Sequence, residues 1–425
     1  MNPGSGQAVP PPLAARVALS VFLPFAAAYF LSYVFRSINA VIAPDLTAVF
    51  SLSAAQLGLL TSVYFLAFAA FQIPVGILLD RFGPRRTNAS LLLAAASGAL
   101  IFALSQGVPA LLAGRALIGL GVSACLMSSI KAFTLWYPLQ RLPAMTGWAL
   151  FCGGLGAMAA TAPVEAALQL TDWRGVFVTM SVLTFAASAA IFWVVPERAS
   201  AGGNESLREQ FQGVARVFGS TVFWRVAAAS PIFQATNMAL QGLWAGPWLA
   251  DVGGLDRTGV AVVLLALAAA TTAGFLFWGV AASGLARRGV TPLALFKVGT
   301  SVFLGVQLLL AFGMTTGAPA LWVAFGLFGT SGSLTFSTLS QAFPVSMTGR
   351  ANTALNLLVF LAAFACQWAF GAIVNLWPAL PGRYHPDGYS AAFATLLVLQ
   401  LLAFAWLLIG AREPRVHGKV RGTVS

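Results

Sequence analysis

The chain has 425 residues, 59% of them hydrophobic and 8% charged, with a formal net charge of +12. A soluble globular domain carries about a quarter charged residues, so water is not the main solvent here. The apolar runs of about 20 residues that recur along the chain are each long enough to cross a hydrocarbon core about 30 Å thick. The positive charge does not make a nucleic-acid surface, because the Lys and Arg residues lie in short hydrophilic breaks between apolar runs, without interleaved aromatics.

In chain order, hydropathy breaks predict spans at about 17–42, 54–79, 86–106, 109–133, 143–168 and 173–195. The first of these continues apolar past Ala26, Ala27 and Ala28, so it reads as a span and not as a cleaved leader. A polar stretch from Glu197 to Thr221 follows, in which the spacing of Leu207, Val214 and Val217 predicts an amphipathic surface helix. A second series lies at about 223–250, 258–283, 291–313, 319–341, 350–376 and 389–411. The predicted fold is an all-α integral membrane protein with twelve transmembrane helices arranged as two six-helix, pseudo-symmetric halves. Its expected divisions are an N-terminal tail at 1–16, a first bundle at 17–196, a central loop at 197–222, a second bundle at 223–411 and a basic tail at 412–425.

Of the 23 Lys and Arg residues, Arg36, Arg115 and Lys131 lie within spans; Arg174, Arg257 and Arg383 fall on one side, and the remainder share a side with both termini. Positive residues are retained in the cytoplasm, which places both termini and the central loop there. With no transit peptide, a cytoplasmic (inner) membrane of a prokaryote is expected. Cys125, Cys152 and Cys366 sit in apolar runs as small packing residues, and His385 and His417 lie in a loop and the tail. No disulfide, metal site or cofactor is expected, and with no nucleophile beside a base and no phosphate loop the chain does not read as an enzyme. An internal repeat is visible: Tyr137 and Pro138 after the fourth span correspond to Phe343 and Pro344 after the tenth, and Gly76 and Gly279 end the second and eighth.

The second and third spans are joined by Gly76, Asp80, Arg81, Gly83, Arg85 and Arg86 at a spacing that resembles the signature loop of the major facilitator superfamily, departing from it at Pro84, where a basic residue is usual. The resemblance implies a secondary transporter working by alternating access, in which Gly76, Asp80, Arg81, Gly83 and Arg85 form a conformational latch between the halves. Physically, the glycines allow close helix approach and a tight turn, and Asp80 can accept hydrogen bonds from the exposed amides of a helix N-terminus. In the second half Ser283 stands where the acid would be, ahead of Arg287 and Arg288, so only the first copy reads as a charged latch.

Arg115, Gly119 and Gly121 in the fourth span resemble the family's second motif. An intramembrane Arg is costly without a partner. Glu165, the one acid within a span apart from the boundary residue Asp80, is the expected partner of Arg115, as a static pair or as a proton-coupling pair. The glycines of the fifth span, Gly147, Gly153, Gly154 and Gly156, read as close packing, since Pro163 comes too late for the antiporter motif.

The first span carries Arg36 eight residues before Pro44, which resembles the first helix of organic-anion transporters within the superfamily; there the Arg contacts the anionic group. A guanidinium stays charged and binds a carboxylate through two parallel hydrogen bonds. The alternative is a structural Arg that snorkels or pairs with Asp45. Asn39, one turn on, shares the face of Arg36. In the second half Asn237, Gln241, Trp244 and Trp248 recur at helical spacing and either form a polar, aromatic wall or pack between helices; Asn356 on the eleventh span is a further candidate. The substrate-binding set is then Arg36, Asn39, Asn237, Gln241, Trp244 and Asn356. The expected partners are the lipid bilayer and a small organic anion, moved with H+ or Na+ by a monomer. Competing readings are a proton-driven efflux antiporter of hydrophobic or cationic compounds and a transporter-like membrane sensor.

Overall fold

The computed structural model describes residues 18–138, 141–198, 207–286, 288–380 and 383–409. The tails expected at 1–16 and 412–425, with His417, lie outside the described residues, as does Arg287.

A bilayer offers backbone N–H and C=O groups no water, and a helix satisfies them within its own segment. Among the described residues the regular structure is accordingly helical, with one isolated antiparallel bridge between Leu380 and Arg383. Among the described residues nine helices are long and apolar enough to cross a membrane, and the bent pair Ala144–Ala159 and Ala162–Leu168 taken as one span makes a tenth. The remaining two expected spans are present in pieces. The second is the helix Ala54–Ala70 followed by the first part of Gln72–Ala103; the seventh is Thr221–Ala227, Ser230–Ala239, a π-helical turn Leu240–Trp244, and Ala245–Asp251. The chain is thus an all-α, multi-pass membrane protein of twelve spans.

Local chemistry sets the boundaries. The second and third spans meet at Gly83, whose φ of 75° is the left-handed region open to glycine. Pro84 then begins the third span, where a missing N–H costs nothing because the first amides of a helix have no intrahelical acceptor. Thr87 Oγ1 donates to Leu78 O across the turn at 3.0 Å. The departure at Pro84 therefore serves as a helix start.

The helices form two compact units. Of the described residues, one comprises those up to Leu52, those within Val63–Asn204 and Asp256–Ala269; the other comprises Ser53–Ser62, those within Glu205–Leu255 and those from Ala270 on. In the first unit the spans touch through small residues. A Cβ on Gly119 would lie 2.3 Å from Tyr64 O, and one on Gly156 would lie 2.2 Å from Phe30 O, so the fourth span meets the second, and the fifth meets the first, backbone to backbone. In the second unit the amphipathic helix Leu207–Phe218 buries Val217 in a core with Phe223, Val226, Leu339, Leu355 and Val359. A buried polar chain also braces this unit: Gln307 Nε2 donates to Gln400 Oε1 at 2.8 Å, and Gln400 Nε2 donates to Thr236 Oγ1 at 2.6 Å.

Gly119→Ala is expected to lower the melting temperature of the detergent-solubilised protein, by about 1–3 kcal/mol of overpacking. Gly147→Ala, which meets nothing within 4 Å, should leave it unchanged or slightly higher, because Ala is the better helix former. Equal effects from the two substitutions would refute backbone contact at Gly119.

Candidate functional site

The first unit gathers two arginines around one tyrosine. Arg36 ends the helix Leu23–Ser37, where a cation is favoured by the orphan carbonyls, and the chain turns at Ile38 before continuing as Asn39–Phe50. The Arg36 guanidinium lies 4.5 Å from the centroid of the Tyr33 ring and 5.8 Å from that of Phe68. It donates to the Tyr64 hydroxyl, which in turn donates to Ser32 O at 3.5 Å. Arg115 approaches the same tyrosine from its face, with the guanidinium 5.3 Å from the ring centroid. Arg115 is fully buried; its Nη1 donates to Phe35 O at 3.0 Å, while Nε and Nη2 have no hydrogen-bond partner. Tyr29 completes the group, donating to the Tyr33 hydroxyl at 3.4 Å. Asn39 is buried beside Arg36 in the same unit.

These neighbours are phenols, rings and a carbonyl. Cation–π contact with a desolvated guanidinium is worth about 2 kcal/mol, well below the cost of an isolated buried charge. Two positive charges inside one helical bundle, cushioned by aromatics, make a locus that a negative ligand would stabilise.

The expected partnership of Arg115 with Glu165 is not formed. Glu165 instead accepts from Arg257 Nε at 2.8 Å and from Gln169 Nε2 at 3.2 Å, and Arg257 also binds Asp45 bidentately at 2.9 and 2.7 Å. All of these residues belong to the first unit, Arg257 at the start of the helix Arg257–Ala286. A similar depth along two helices does not fix which faces meet. Asp45, considered as a partner for Arg36, is engaged by the same Arg257 fork. The result is one cation held between two carboxylates.

In the signature loop Asp80 forms an ion pair with Lys131 of the fourth span. Arg85 Nε donates to Phe192 O at 2.7 Å, capping the last carbonyls of the helix Trp173–Val194. Arg85 and Arg86 share Glu197, at 3.6 and 2.6 Å. Arg81 lies over the Phe82 ring, and nothing crowds Gly76.

Asn237, Gln241, Trp244 and Asn356 belong to the second unit. Gln241 and Asn356 are partly exposed, whereas Trp244 is fully buried, its indole N–H donating to Gln367 O at 3.0 Å and its ring 5.1 Å from that of Phe370. Trp248 packs on Trp322, and Asn237 packs on Gly329. A π turn, Leu240–Trp244, interrupts this stretch, and of the two readings open for it the contacts of Trp244 and Trp248 are those of packing between helices. Trp244 is a packing residue.

Tyr33, Tyr64 and Phe68 were not among the sequence candidates. The chain has six tyrosines against 33 phenylalanines, so three tyrosines within reach of one intramembrane Arg was the available signal.

Comparison with known proteins accords with this architecture. The sequence model described as Major Facilitator Superfamily matches residues 25–367. A Cupriavidus necator protein named "Probable sulfoacetate transporter" is 26% identical over 156 residues, covering 37% of this chain and 36% of that protein. An Escherichia coli K12 protein named "Probable L-galactonate transporter" is 31% identical over 140 residues, covering 31% and 29%. The matched part thus spans about a third of these relatives. A crystal structure of a bacterial homolog of the human lysosomal transporter Spinster superposes with a TM-score of 0.77 at 16% identity, over 96% of this chain and 98% of that one, which shows a shared fold. The chain belongs to the Major Facilitator Superfamily.

Proposed function

We propose that this protein is an alternating-access secondary transporter that moves a small organic anion, a carboxylate or sulfonate, across the cytoplasmic membrane as a monomer with both termini in the cytoplasm. The observation that carries this reading is the Arg36–Tyr64–Arg115 cluster: two guanidinium groups that share a phenol within one bundle. The fork of Arg36 offers a planar anion two parallel hydrogen bonds, and the Tyr64 hydroxyl fixes where that fork points. The names of the two relatives, which carry a sulfonate and a sugar acid, support the same class of substrate. Within the first unit, Asn39 is the candidate for a hydroxyl or amide group of the ligand.

Coupling belongs to the cluster Asp45–Arg257–Glu165. With two carboxylates on one guanidinium it carries an excess negative charge, which a proton or Na+ neutralises. The Asp80–Lys131 pair and the Arg85 cap hold the signature loop, and the latch reading assigns their breakage to the change of state.

The substrate class is tested by thermal shift of the purified protein against small carboxylates, sulfonates, neutral sugars and lipophilic cations. A ligand at a hundred times its Kd adds about 2.7 kcal/mol of stability. Carboxylates or sulfonates should raise the melting temperature of wild type and not of Arg36→Gln, and Tyr64→Phe should weaken binding about fivefold, the worth of one hydrogen bond of about 1 kcal/mol. Stabilisation of wild type and Arg36→Gln alike by neutral or cationic compounds would overturn the anion reading.

Coupling is tested separately in proteoliposomes. Glu165→Gln should abolish accumulation driven by an ion gradient while leaving substrate exchange across the membrane intact. Gradient-driven accumulation at the wild-type level would remove Glu165 from the coupling site.

A further inference from the structure

The basic end of the first unit holds a cavity that the transport reading does not use. It encloses about 280 Å³ beside the signature loop, and its walls include Arg81, Arg85, Arg86 and Arg198 with Asp80 and Glu197. Arg85 and Arg86 share Glu197, and Asp80 is held by Lys131. Among the described residues, Arg81 and Arg198 are left without a carboxylate. Arg198 donates to Leu135 O and lies 4.7 Å from the Trp136 ring centroid, so its guanidinium is held at the cavity wall. The cavity carries an excess of two positive charges.

A second space of about 580 Å³ adjoins it. This one is an apolar groove between the helices Gln72–Ala103 and Trp173–Val194, walled by Leu78, Leu93, Phe185, Ala189 and Trp193. Phe82 and Arg86 line both spaces, so the groove and the basic cavity meet at these two side chains. The hydroxyls along the groove are spent on backbone carbonyls: Ser188 Oγ donates to Ala89 O at 2.7 Å, Thr87 donates to Leu78 O, and the exposed Ser90 donates to Arg86 O at 2.8 Å. The rest of the lining is mainly hydrocarbon and ring, and Trp193, 75% exposed, stands at the charged end, where an indole suits the membrane–water boundary.

We propose that this continuous site binds one anionic phospholipid, with an acyl chain in the groove and the phosphate in the basic cavity against Arg86, Arg198 and Arg81. A soluble anion would use the charge and leave the groove empty. A zwitterionic lipid would fill the groove but bring no net charge to match the excess of arginine. The anionic lipid satisfies both, and its phosphate enters as an alternative partner for Arg86, which Glu197 now holds.

The test uses the full chain in nanodiscs of phosphatidylcholine doped with acyl-brominated phosphatidylglycerol, whose bromines quench nearby tryptophans. The component of quenching lost in Trp193→Phe reports the groove. Phosphatidylglycerol should quench this component at several-fold lower mole fraction than brominated phosphatidylcholine. Arg86→Gln and Arg198→Gln should each weaken that preference about fivefold, the equivalent of about 1 kcal/mol per basic residue, with Arg198→Gln alone deciding the matter if Arg86→Gln fails to fold. Ala189→Phe, which fills the groove without adding an indole, should remove the quenching while the arginines stay in place. Equal quenching by the two lipids, or a preference unchanged in Arg198→Gln, would overturn the proposal. Displacement of the lipid by glycerol phosphate, which has no acyl chain, would overturn it in favour of a soluble anion.

Discussion

A guanidinium does not give up its proton at any pH a protein meets, so each arginine placed inside a helical bundle must be met by something in the surrounding structure. The first unit meets two of them with aromatic rings, a phenol and a carbonyl at the end of a half-helix. The helix arrangement around this point follows from that requirement. Tyr64 can reach between Arg36 and Arg115 because Gly119, one turn past Arg115, brings the fourth span against the backbone of Tyr64 itself. A side chain at Gly119 would push the ring away from both cations.

The remaining charges are distributed by the same economy. Described acids lie near helix ends and loops, each beside a base or a helix terminus: Asp80 by Lys131, Glu197 by Arg85 and Arg86, Asp172 capping Gly175 N, and Asp45 with Glu165 on Arg257. The contacts of Arg115 are instead uncharged, the Phe35 carbonyl and the Tyr64 ring. A site compensated by phenols keeps its positive potential, whereas one compensated by carboxylates would cancel it. That contrast separates the place suited to receive an anion from the places suited to hold the fold together.

The spans were legible because the bilayer imposes length and apolarity, and the signature loop was legible because Gly83, Asp80 and the basic pair sit at fixed offsets. Arg36 and Arg115 were legible as charges where charge is expensive. Their partners were not. Depth along a helix can be counted from sequence, but the direction a side chain faces depends on packing, so Glu165 was matched with Arg115 by depth while its carboxylate turned to Arg257, at the start of the eighth span. The surroundings of Trp244 were not legible for a different reason: a π turn is a single extra residue, and nothing in Leu240–Trp244 announces it beyond one glycine. Tyr64 was hidden by ordinariness, one ring in spans crowded with rings.

The sharing of Tyr64 has an energetic corollary. Because one phenol meets Arg36 at its hydroxyl and Arg115 at its face, the two cations are thermodynamically coupled through a common neighbour. Removing either one relaxes the ring and changes what the other is worth, so the double substitution does not equal the sum of its parts. The pair behaves as a single cationic unit with two entrances, and evolution can alter the shape of its ligand by moving a tyrosine without touching an arginine.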